Sequence, residues 1–305
     1  MDTDRNATRR MVLGTLAAAT ASAMLDVRAH ATDAAGNIMV EWNQHMFCSD
    51  VARFPFNPRA TYRGNPAHYP VDPLASYMKT LTQEGVDRAV LVQPEPYGDD
   101  HSLILDCLRR APADRFKGTS LFYPRDADAP DKLAALVQRE PRIVSTRFHK
   151  LKNNTKYMDS FADPGVRALW KRAVDLGLVI ELHIGPQFGR EVADTIAAIP
   201  GSRVLIDHLA EPQTGDAIDY AGILDLAKLP NVYMKLSELE SMAKDAPYFE
   251  SLLPFTRRVI REYGPDRMVW SGGSPHIADV HFEGYSEADL AKVRGGNLRR
   301  LLAWK

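Results

Sequence analysis

Residues 164–184 read Pro-Gly-Val-Arg-Ala-Leu-Trp-Lys-Arg-Ala-Val-Asp-Leu-Gly-Leu-Val-Ile-Glu-Leu-His-Ile, an amphipathic stretch followed by a short apolar run. Residues 164–176 have the apolar spacing of a helix, and Pro164 stands at its start, where a missing N–H costs little. Residues 178–184 are mostly Val, Ile and Leu, as expected of a strand that is buried on both faces. The stretch therefore predicts a helix that leads into a strand of a parallel sheet.

The same alternation recurs along the chain. The predicted strands are 38–42, 88–93, 117–122, 143–148, 178–184, 203–207, 231–235 and 267–271. The predicted helices are 74–84, 102–111, 129–139, 164–176, 190–199, 220–226, 248–263 and 286–302, with Pro247 near the start of the seventh. Eight such repeats are what a (β/α)8 barrel requires. A doubly wound open sheet is the alternative, but no predicted strand is followed by Gly-x-Gly-x-x-Gly. We predict a single-domain (β/α)8 TIM barrel of the α/β class.

The first 31 residues are predicted to be an export signal, and residues 32–305 the barrel domain. Arg9-Arg10 precede a mild apolar stretch, Met11–Met24, and Ala29-His30-Ala31 supplies a small-x-small cleavage site. The apolar stretch is too short for a membrane span. The pattern resembles a twin-arginine signal, with a disordered basic N-terminus as the alternative. We expect a bacterial periplasmic protein without a membrane segment after the signal is removed.

The composition limits the kinds of molecule that the protein is expected to bind. A formal net charge of −1 argues against nucleic acid as the main partner. The two cysteines, Cys48 and Cys107, do not make a disulfide framework, although a single bridge is conceivable in the periplasm. Cys107 lies in the predicted helix 102–111 and is expected to be a packed small hydrophobe. The expected partner is a small anionic organic substrate, and a homo-oligomer stays open.

Polar side chains gather at the ends of the predicted strands, where a barrel places its chemistry. A lone histidine at such a position is often only a hydrogen-bonded structural group. Five of the nine histidines fall at these ends, however, and this indicates a shared pocket. The polar residues there are Asn43, His45, Gln93, Glu95, Arg147, His149, Glu181, His183, Asp207, His208, Lys235, Ser237, Ser271 and His276.

The order of short motifs at these ends resembles the amidohydrolase superfamily, in its branch that holds lactonases and decarboxylases. The likeness is to the 2-pyrone-4,6-dicarboxylate lactonases and covers nearly all of residues 32–305. The resemblance implies a barrel that hydrolyses a small carboxylated lactone or cyclic ester. The matching motifs are residues 41–47 (Glu-Trp-Asn-Gln-His-Met-Phe), 52–56 with Tyr62, 146–148 (Thr-Arg-Phe), 206–208 (Ile-Asp-His), Lys235 with Ser237, 270–276, and Gly296-Asn297.

The sequence departs from the family pattern at positions where the family has residues that bind a metal ion. Asn43 stands where the family has the first histidine of its strand-1 pair, and Gly273 where it has an aspartate ligand or base. His45, His183 and His208 remain, and three histidines can hold zinc. We expect no cofactor and a degenerate, metal-independent site, with zinc at these three histidines as the alternative.

Lactone hydrolysis without a metal needs a base for water, a donor for the developing oxyanion and an anchor for the substrate. His208 is the preferred base or oxyanion donor, and His183 is second. Glu181 could orient a histidine or act as base, and His45 completes the catalytic set. Arg147 takes the carboxylate of the substrate by resemblance, with a salt bridge to a barrel carboxylate as its alternative. The other substrate-binding candidates are Tyr62, Arg59, His149, Asn43, Lys235 and His276.

Three classes of function are compatible with these residues. The first is a metal-independent hydrolase of a small carboxylated lactone or cyclic ester. The second is a metal-dependent decarboxylase or C–C hydrolase of the same superfamily. The third is a non-catalytic binding protein on an enzyme fold, which the changes at Asn43 and Gly273 would explain. Metal content separates the first two classes, and any lactone turnover excludes the third.

Overall fold

The structure is a computed structural model that describes residues 38–151 and 157–305. The export signal predicted for residues 1–31 lies outside this part of the chain. Among the described residues, no helix combines the length and the apolar character that a membrane span requires.

Eight parallel strands form one sheet in the order in which they occur along the chain, as predicted. They are β1 (Val40–Glu41), β2 (Arg88–Leu91), β3 (Phe116–Leu121), β4 (Ile143–Lys150), β5 (Val179–Ile184), β6 (Val204–Ile206), β7 (Val232–Leu236) and β8 (Met268–Trp270). The sheet curls into a nearly closed barrel, because Trp42 beside β1 donates its backbone N–H to Ser271 Oγ after β8, at 2.7 Å. The predicted (β/α)8 barrel is thereby confirmed.

Helices connect the strands and surround the sheet, as the repeat of right-handed βα units requires. They are α1 (Pro73–Glu84), α2 (Ser102–Arg110), α3 (Ala129–Arg139), α4 (Pro164–Asp175), α5 (Gly189–Ala198), α6 (Ala217–Asp225), α7 (Leu253–Tyr263), α8 (His276–His281), α9 (Glu287–Ala291) and α10 (Asn297–Leu301). Asp72 caps α1 by accepting from the backbone N–H of Ala75, and Gly85, with φ 68°, ends it.

Three differences from the predicted helices stand out. Helix α7 begins at Leu253, so Pro247 lies before the helix and not at its start. The predicted closing helix, residues 286–302, contains a π-helical segment, Lys292–Gly296. A Cβ on Gly295 would lie 2.1 Å from the carbonyl oxygen of Ile38, so only glycine lets this segment lie against β1. The stretch after β8 that reads as an insert contains α8.

Two layers of side chains fill the barrel interior: an apolar layer and, nearer the C-terminal ends of the strands, a charged layer. Alternate strand residues point inward. Helix α10 packs against the apolar layer through Leu298 and Leu301. Cys107 is buried as predicted, and Cys48 is also buried; both thiols are free, so there is no disulfide between them. The apolar interior residues are Val40, Trp42, Val90, Val92, Val179, Leu205, Tyr233 and Val269.

Candidate active site

The register of β4 and β5 sets the first pairs of polar side chains. Arg147 lies beside Glu181, and His149 lies beside His183. Because side chains two residues apart on a strand share a face, all four point into the barrel at its C-terminal end. The spacing of two residues on each strand thus places these four polar side chains together in the site.

A compensated group of four charges lies beneath the histidines. Arg147 and Lys235 face Glu181 and Asp207, and each of the four side chains is at most 1% exposed. Lys235 Nζ lies 2.6 Å from Glu181 and 2.8 Å from Asp207. Burial would raise the pKa of Asp207, but the charges of Lys235 and Arg147 outweigh it and hold that pKa well below its usual value. Asp207 is therefore ionised, whereas burial and the charge of Asp207 raise the pKa of Glu181, although Lys235 and Arg147 oppose this.

His45 faces Arg147 across the barrel mouth. The Nη1 of Arg147 lies 3.3 Å from Nε2 of His45. Since a guanidinium can only donate, Nε2 of His45 must be the acceptor and carries no proton. Burial and the nearby charge of Arg147 lower the pKa of His45 well below its usual value. His45 is therefore a neutral imidazole.

His208 is held by Ser237, the residue that follows β7. Its Nδ1 lies 2.9 Å from Oγ of Ser237, and the residue is 3% exposed. Burial lowers the pKa of His208 well below its usual value, although the charge of Asp207 opposes this. The imidazole is therefore neutral, fixed at Nδ1, and has Nε2 available for another group.

The segment after β6 has an unusual backbone. Four consecutive residues without a glycine, His208 to Glu211, have φ of 52°, 53°, 58° and 49°. Each left-handed residue costs about 1–2 kcal/mol, because Cβ approaches the following carbonyl oxygen. Strain of this kind persists where the surrounding structure imposes it and often lies at functional sites. The turn returns Glu211 to the barrel mouth, three residues after His208.

Glu211 meets His183 there. Its Oε1 lies 2.9 Å from Nε2 of His183, and the two side chains are 13% and 19% exposed. On the other edge of the same ring, Nδ1 of His183 lies 3.2 Å from Nδ1 of His149. Burial lowers the pKa of His149 well below its usual value. Glu211, His183 and His149 thus form a hydrogen-bonded row across β6, β5 and β4.

Asn43, Glu238 and Gly273 follow strands β1, β7 and β8 at this end of the barrel. The side chain of Asn43 hydrogen-bonds Glu238, whose own φ is 57°. Burial and the neighbouring Glu240 and Glu211 raise the pKa of Glu238. Gly273, with φ 70°, presents no side chain after β8. The carboxylate that bonds the side chain of Asn43 therefore comes from the segment after β7.

The long loop after β1 covers part of the mouth. Thr61 donates its backbone N–H to Oε1 of Glu95 at 2.9 Å, which ties the loop to the end of β2. Next to it, Tyr62 is 46% exposed and is close enough to Arg147 and Glu238 for their charges to affect its phenol. Tyr62 is therefore positioned at the rim.

The sequence-predicted residues divide into two groups. His276 is 73% exposed and paired with Asp279, and Arg59 forms a two-nitrogen ion pair with Asp126, so these two lie outside the cluster. Sequence reasoning missed Glu211 and Glu238. Glu211 lies four residues after the predicted strand 203–207 and Glu238 three residues after the predicted strand 231–235, and this closeness to a strand end is the sequence signal that marks them. The residues brought together at the mouth or just below it are Asn43, His45, Tyr62, Arg147, His149, Glu181, His183, His208 and Lys235.

The side chains closest to a metal-binding arrangement are His183, His208 and Glu211, each of which offers one ligand atom within 4.8 Å of the others. His45, which the sequence placed in a zinc set with the two histidines, is not in this trio. In the structure, Nε2 of His183 and Oε1 of Glu211 are bonded to each other, and Nε2 of His45 accepts from Arg147.

Comparisons with known proteins identify relatives of this chain. The chain is 25% identical over 245 residues to 4-sulfomuconolactone hydrolase of Hydrogenophaga intermedia, covering 77% of this chain and 74% of that protein. It is 26% identical over 202 residues to L-fucono-1,5-lactonase of Burkholderia ambifaria, covering 64% and 67%.

The fold also matches a solved structure described as a probable 2-pyrone-4,6-dicarboxylic acid hydrolase from Acinetobacter baumannii with citric acid bound. The TM-score is 0.68 at 18% identity, covering 87% of this chain and 99% of that chain. A family model described as Amidohydrolase (Amidohydro_2) matches residues 25–304. The chain therefore belongs to this amidohydrolase family.

Proposed function

We propose that the protein is a hydrolase that opens a small carboxylated lactone without a metal ion. The observation that carries the proposal is a group of neutral, buried histidines around one guanidinium at the barrel mouth. His45, His149 and His208 all have lowered pKa values, first because of burial. A neutral imidazole can accept a proton from water near pH 7, which is what a general base requires.

The names of two relatives support a lactone as the bond that the protein hydrolyses. Both relatives described above carry names of lactone-opening enzymes, and they share about a quarter of their aligned residues with this chain. Opening a lactone needs only water activation, oxyanion stabilisation and protonation of the leaving oxygen. Neutral histidines and fixed donors can perform all three steps.

We assign oxyanion stabilisation to His208. If the hydroxyl of Ser237 donates to Nδ1, the proton of His208 lies on Nε2, which then donates to the oxygen that becomes negative. The carboxylate of the substrate would meet Nη1 of Arg147 and the phenol of Tyr62. Nε and Nη2 of Arg147 already donate to Asp207, so the anchor is one N–H edge and not a free two-nitrogen fork.

The donors at the mouth do not fit a catalytic metal ion of the kind that the resemblance implies. Asn43 is a poor ligand for zinc, and Gly273 offers none. Nε2 of His45 is occupied by a cation, since Arg147 donates to it. Nε2 of His183 is hydrogen-bonded to Glu211, so this nitrogen and this carboxylate are engaged with each other. The proposed reaction therefore uses protein groups alone.

Three lactones test the proposal: 4-sulfomuconolactone, L-fucono-1,5-lactone and 2-pyrone-4,6-dicarboxylate. Purified protein should open at least one of them, followed by proton release in weakly buffered solution. A folded His208→Ala variant should lose about 100- to 1,000-fold in kcat, the usual effect of removing an oxyanion donor. His68→Gln, at an exposed histidine, is the matched control and should retain full activity. Binding of a lactone without turnover by wild-type protein would instead indicate a binding protein.

We further propose that the protein is exported and works in a bacterial periplasm. Arg9-Arg10 ahead of Met11–Met24 and the small-x-small site Ala29-His30-Ala31 support this. Amino-terminal sequencing of protein from a periplasmic fraction should begin near Thr32. Full-length protein confined to the cytosol would contradict the proposal.

A further inference from the structure

A groove between α2 and the end of α3 lies on the outside of the barrel, apart from the candidate active site. Its volume is about 720 Å³. One wall consists of α2 with Arg53 and Phe54 from the loop after β1, and the other consists of the end of α3 and the residues that follow it. None of the side chains that the structure describes at the barrel mouth lines this groove. The space is sufficient for a small organic molecule.

The lining of the groove has an excess of positive charge. Four arginines stand against two carboxylates, so two positive charges have no lining carboxylate to balance them. The chain as a whole has a formal net charge of −1, so the excess is local. Charges more than about 8 Å away are screened at physiological ionic strength and do not cancel it. The charged lining residues are Arg53, Arg109, Arg139, Arg142, Asp106 and Glu140.

The first cationic group lies where α2 meets the loop after β1. The Nη2 atoms of Arg53 and Arg109 lie 2.8 and 2.5 Å from the same oxygen of Asp106. The other oxygen of Asp106 is 3.0 Å from Nε of Arg110. Three guanidinium groups therefore share one carboxylate. Each guanidinium has five N–H donors, and the ion pairs of Arg53 and Arg109 with Asp106 use one nitrogen of each.

The second cationic group lies at the end of α3. Glu140 accepts from Nε and Nη2 of Arg142 with its two oxygens, at 2.8 and 2.7 Å. Arg139, in the last turn of α3, has no carboxylate within ion-pair distance among the residues that the structure describes. A cation suits the C-terminal end of a helix, but a helix dipole does not neutralise a full charge. Arg139 is therefore a cation that an external anion can approach.

We propose that this groove binds a small dicarboxylate. Guanidinium groups pair with carboxylates through parallel N–H donors. The two cationic groups stand on different elements, so each takes one carboxylate of the same molecule. Phe54 and Leu105 line the same groove and supply an apolar surface for the carbon chain. A compact anion such as phosphate would engage only one of the two groups. The proposal goes beyond lactone hydrolysis and does not depend on it.

The groove is connected to the barrel mouth through the loop after β1. Arg53 belongs to this loop, and so do Thr61, which bonds Glu95, and Tyr62 at the rim. A dicarboxylate that bridges Arg53 and the end of α3 attaches the loop to the outside of the barrel at a further point. Amide hydrogen exchange in residues 51–56 should therefore become slower when the groove is occupied.

Titration of the purified protein with succinate tests the proposal, by calorimetry and by hydrogen exchange at constant ionic strength and pH 7.5. Wild-type protein should bind succinate, and exchange in residues 51–56 should slow with the same concentration dependence. Arg139→Gln should weaken this binding by at least about tenfold, because a charge-assisted hydrogen bond is lost. Arg167→Gln, at an exposed arginine of α4, is the matched control and should bind succinate as wild type does.

Several results would overturn the proposal. Absence of succinate binding would do so, and equal affinity in wild type and Arg139→Gln would place the succinate elsewhere, for example at Arg147. Acetate that binds as tightly as succinate would show that one carboxylate is enough. Phosphate that binds more tightly than succinate, with its affinity lowered in Arg139→Gln, would make the groove a phosphate site. Thermal melting of each variant shows whether a loss of binding reflects unfolding.

Discussion

Arg147 donates from Nε and from Nη2 to the same oxygen of Asp207, at 2.9 and 2.7 Å. Lys235 approaches the other oxygen at 2.8 Å. Asp207 thus joins the two cations of the barrel interior. The arrangement leaves Nη1 of Arg147 directed at His45, so one side chain forms a buried salt bridge and is also the proposed substrate anchor.

Removing Arg147 should be costly to stability. In Arg147→Met, Asp207 loses two charge-assisted hydrogen bonds in a buried site, and breaking such a pair costs about 3–5 kcal/mol. Urea unfolding at pH 7.5 measures the loss. Arg59→Met removes an ion pair to Asp126 at a partly exposed arginine and should cost at most about 1 kcal/mol. Equal losses of unfolding free energy in the two variants would show that the buried pair stabilises the protein no more than the exposed pair does.

Glu41 should make the protein less stable as pH rises. Burial raises its pKa from 4.5 to about 7, despite a hydrogen bond from Tyr77. Because the folded pKa is the higher one, this contribution is fully present below pH 4.5 and is lost as pH rises through 7. A shift of this size corresponds to about 3 kcal/mol.

Glu41→Gln isolates this contribution. The amide keeps the shape of the side chain but cannot ionise, so the variant should gain stability relative to wild type between pH 5 and pH 8. Urea unfolding of both proteins at these two pH values gives the comparison. A constant difference between them would mean that Glu41 ionises normally in the folded protein.

The histidines should impose the opposite pH dependence. The pKa values of His45, His149 and His208 are lowered, so the unfolded chain takes up protons first as pH falls below 6.5. Their contribution to stability is present above pH 6.5 and is lost below it. His208→Gln should lose less stability than wild type between pH 7.5 and 5.5.

The same lowered pKa values predict the pH dependence of activity. The kcat/KM of the wild-type enzyme should keep its plateau down to pH 6, and a midpoint at 6.5 or above would contradict neutral, buried imidazoles.

The C-terminus offers a simple stability test. Ala303 is exposed and has φ 46°, just after the end of α10. Glycine takes this conformation without the Cβ penalty, so Ala303→Gly should raise the unfolding free energy by up to about 1 kcal/mol. Ala288→Gly, on an exposed turn of α9, should lower it by about 0.5–1 kcal/mol. Destabilisation by both substitutions would argue against the left-handed end of the helix.

Much of the fold follows from local sequence patterns. Runs such as residues 178–184 cannot bury their side chains except in a parallel sheet covered by helices, and all eight predicted strands occur within a few residues of their predicted ends. The start of α7 was missed because Pro247 reads as a helix start. The π-helical segment depends on a close approach between Gly295 and Ile38, which are distant in sequence.

The candidate site is only partly readable from the sequence. Period-two spacing on β4 and β5 places Arg147 and His149 beside Glu181 and His183. Glu211 could not be placed, because Leu209-Ala210 gives no signal for a left-handed turn, a conformation usually taken by glycine. For the same reason, the sequence placed His183 in a zinc set with His45, whereas in the structure His183 pairs with Glu211.

Metal content and sensitivity to a chelator together test whether lactone hydrolysis proceeds by protein groups without a metal. Protein purified in metal-free buffer is analysed for bound metals, and its lactone turnover is measured before and after dialysis against a strong chelator. We predict far less than one zinc ion per chain and an unchanged kcat. One zinc ion per chain, with activity lost to the chelator and restored by zinc, would contradict metal-independent hydrolysis and assign His183, His208 and Glu211 to a metal site.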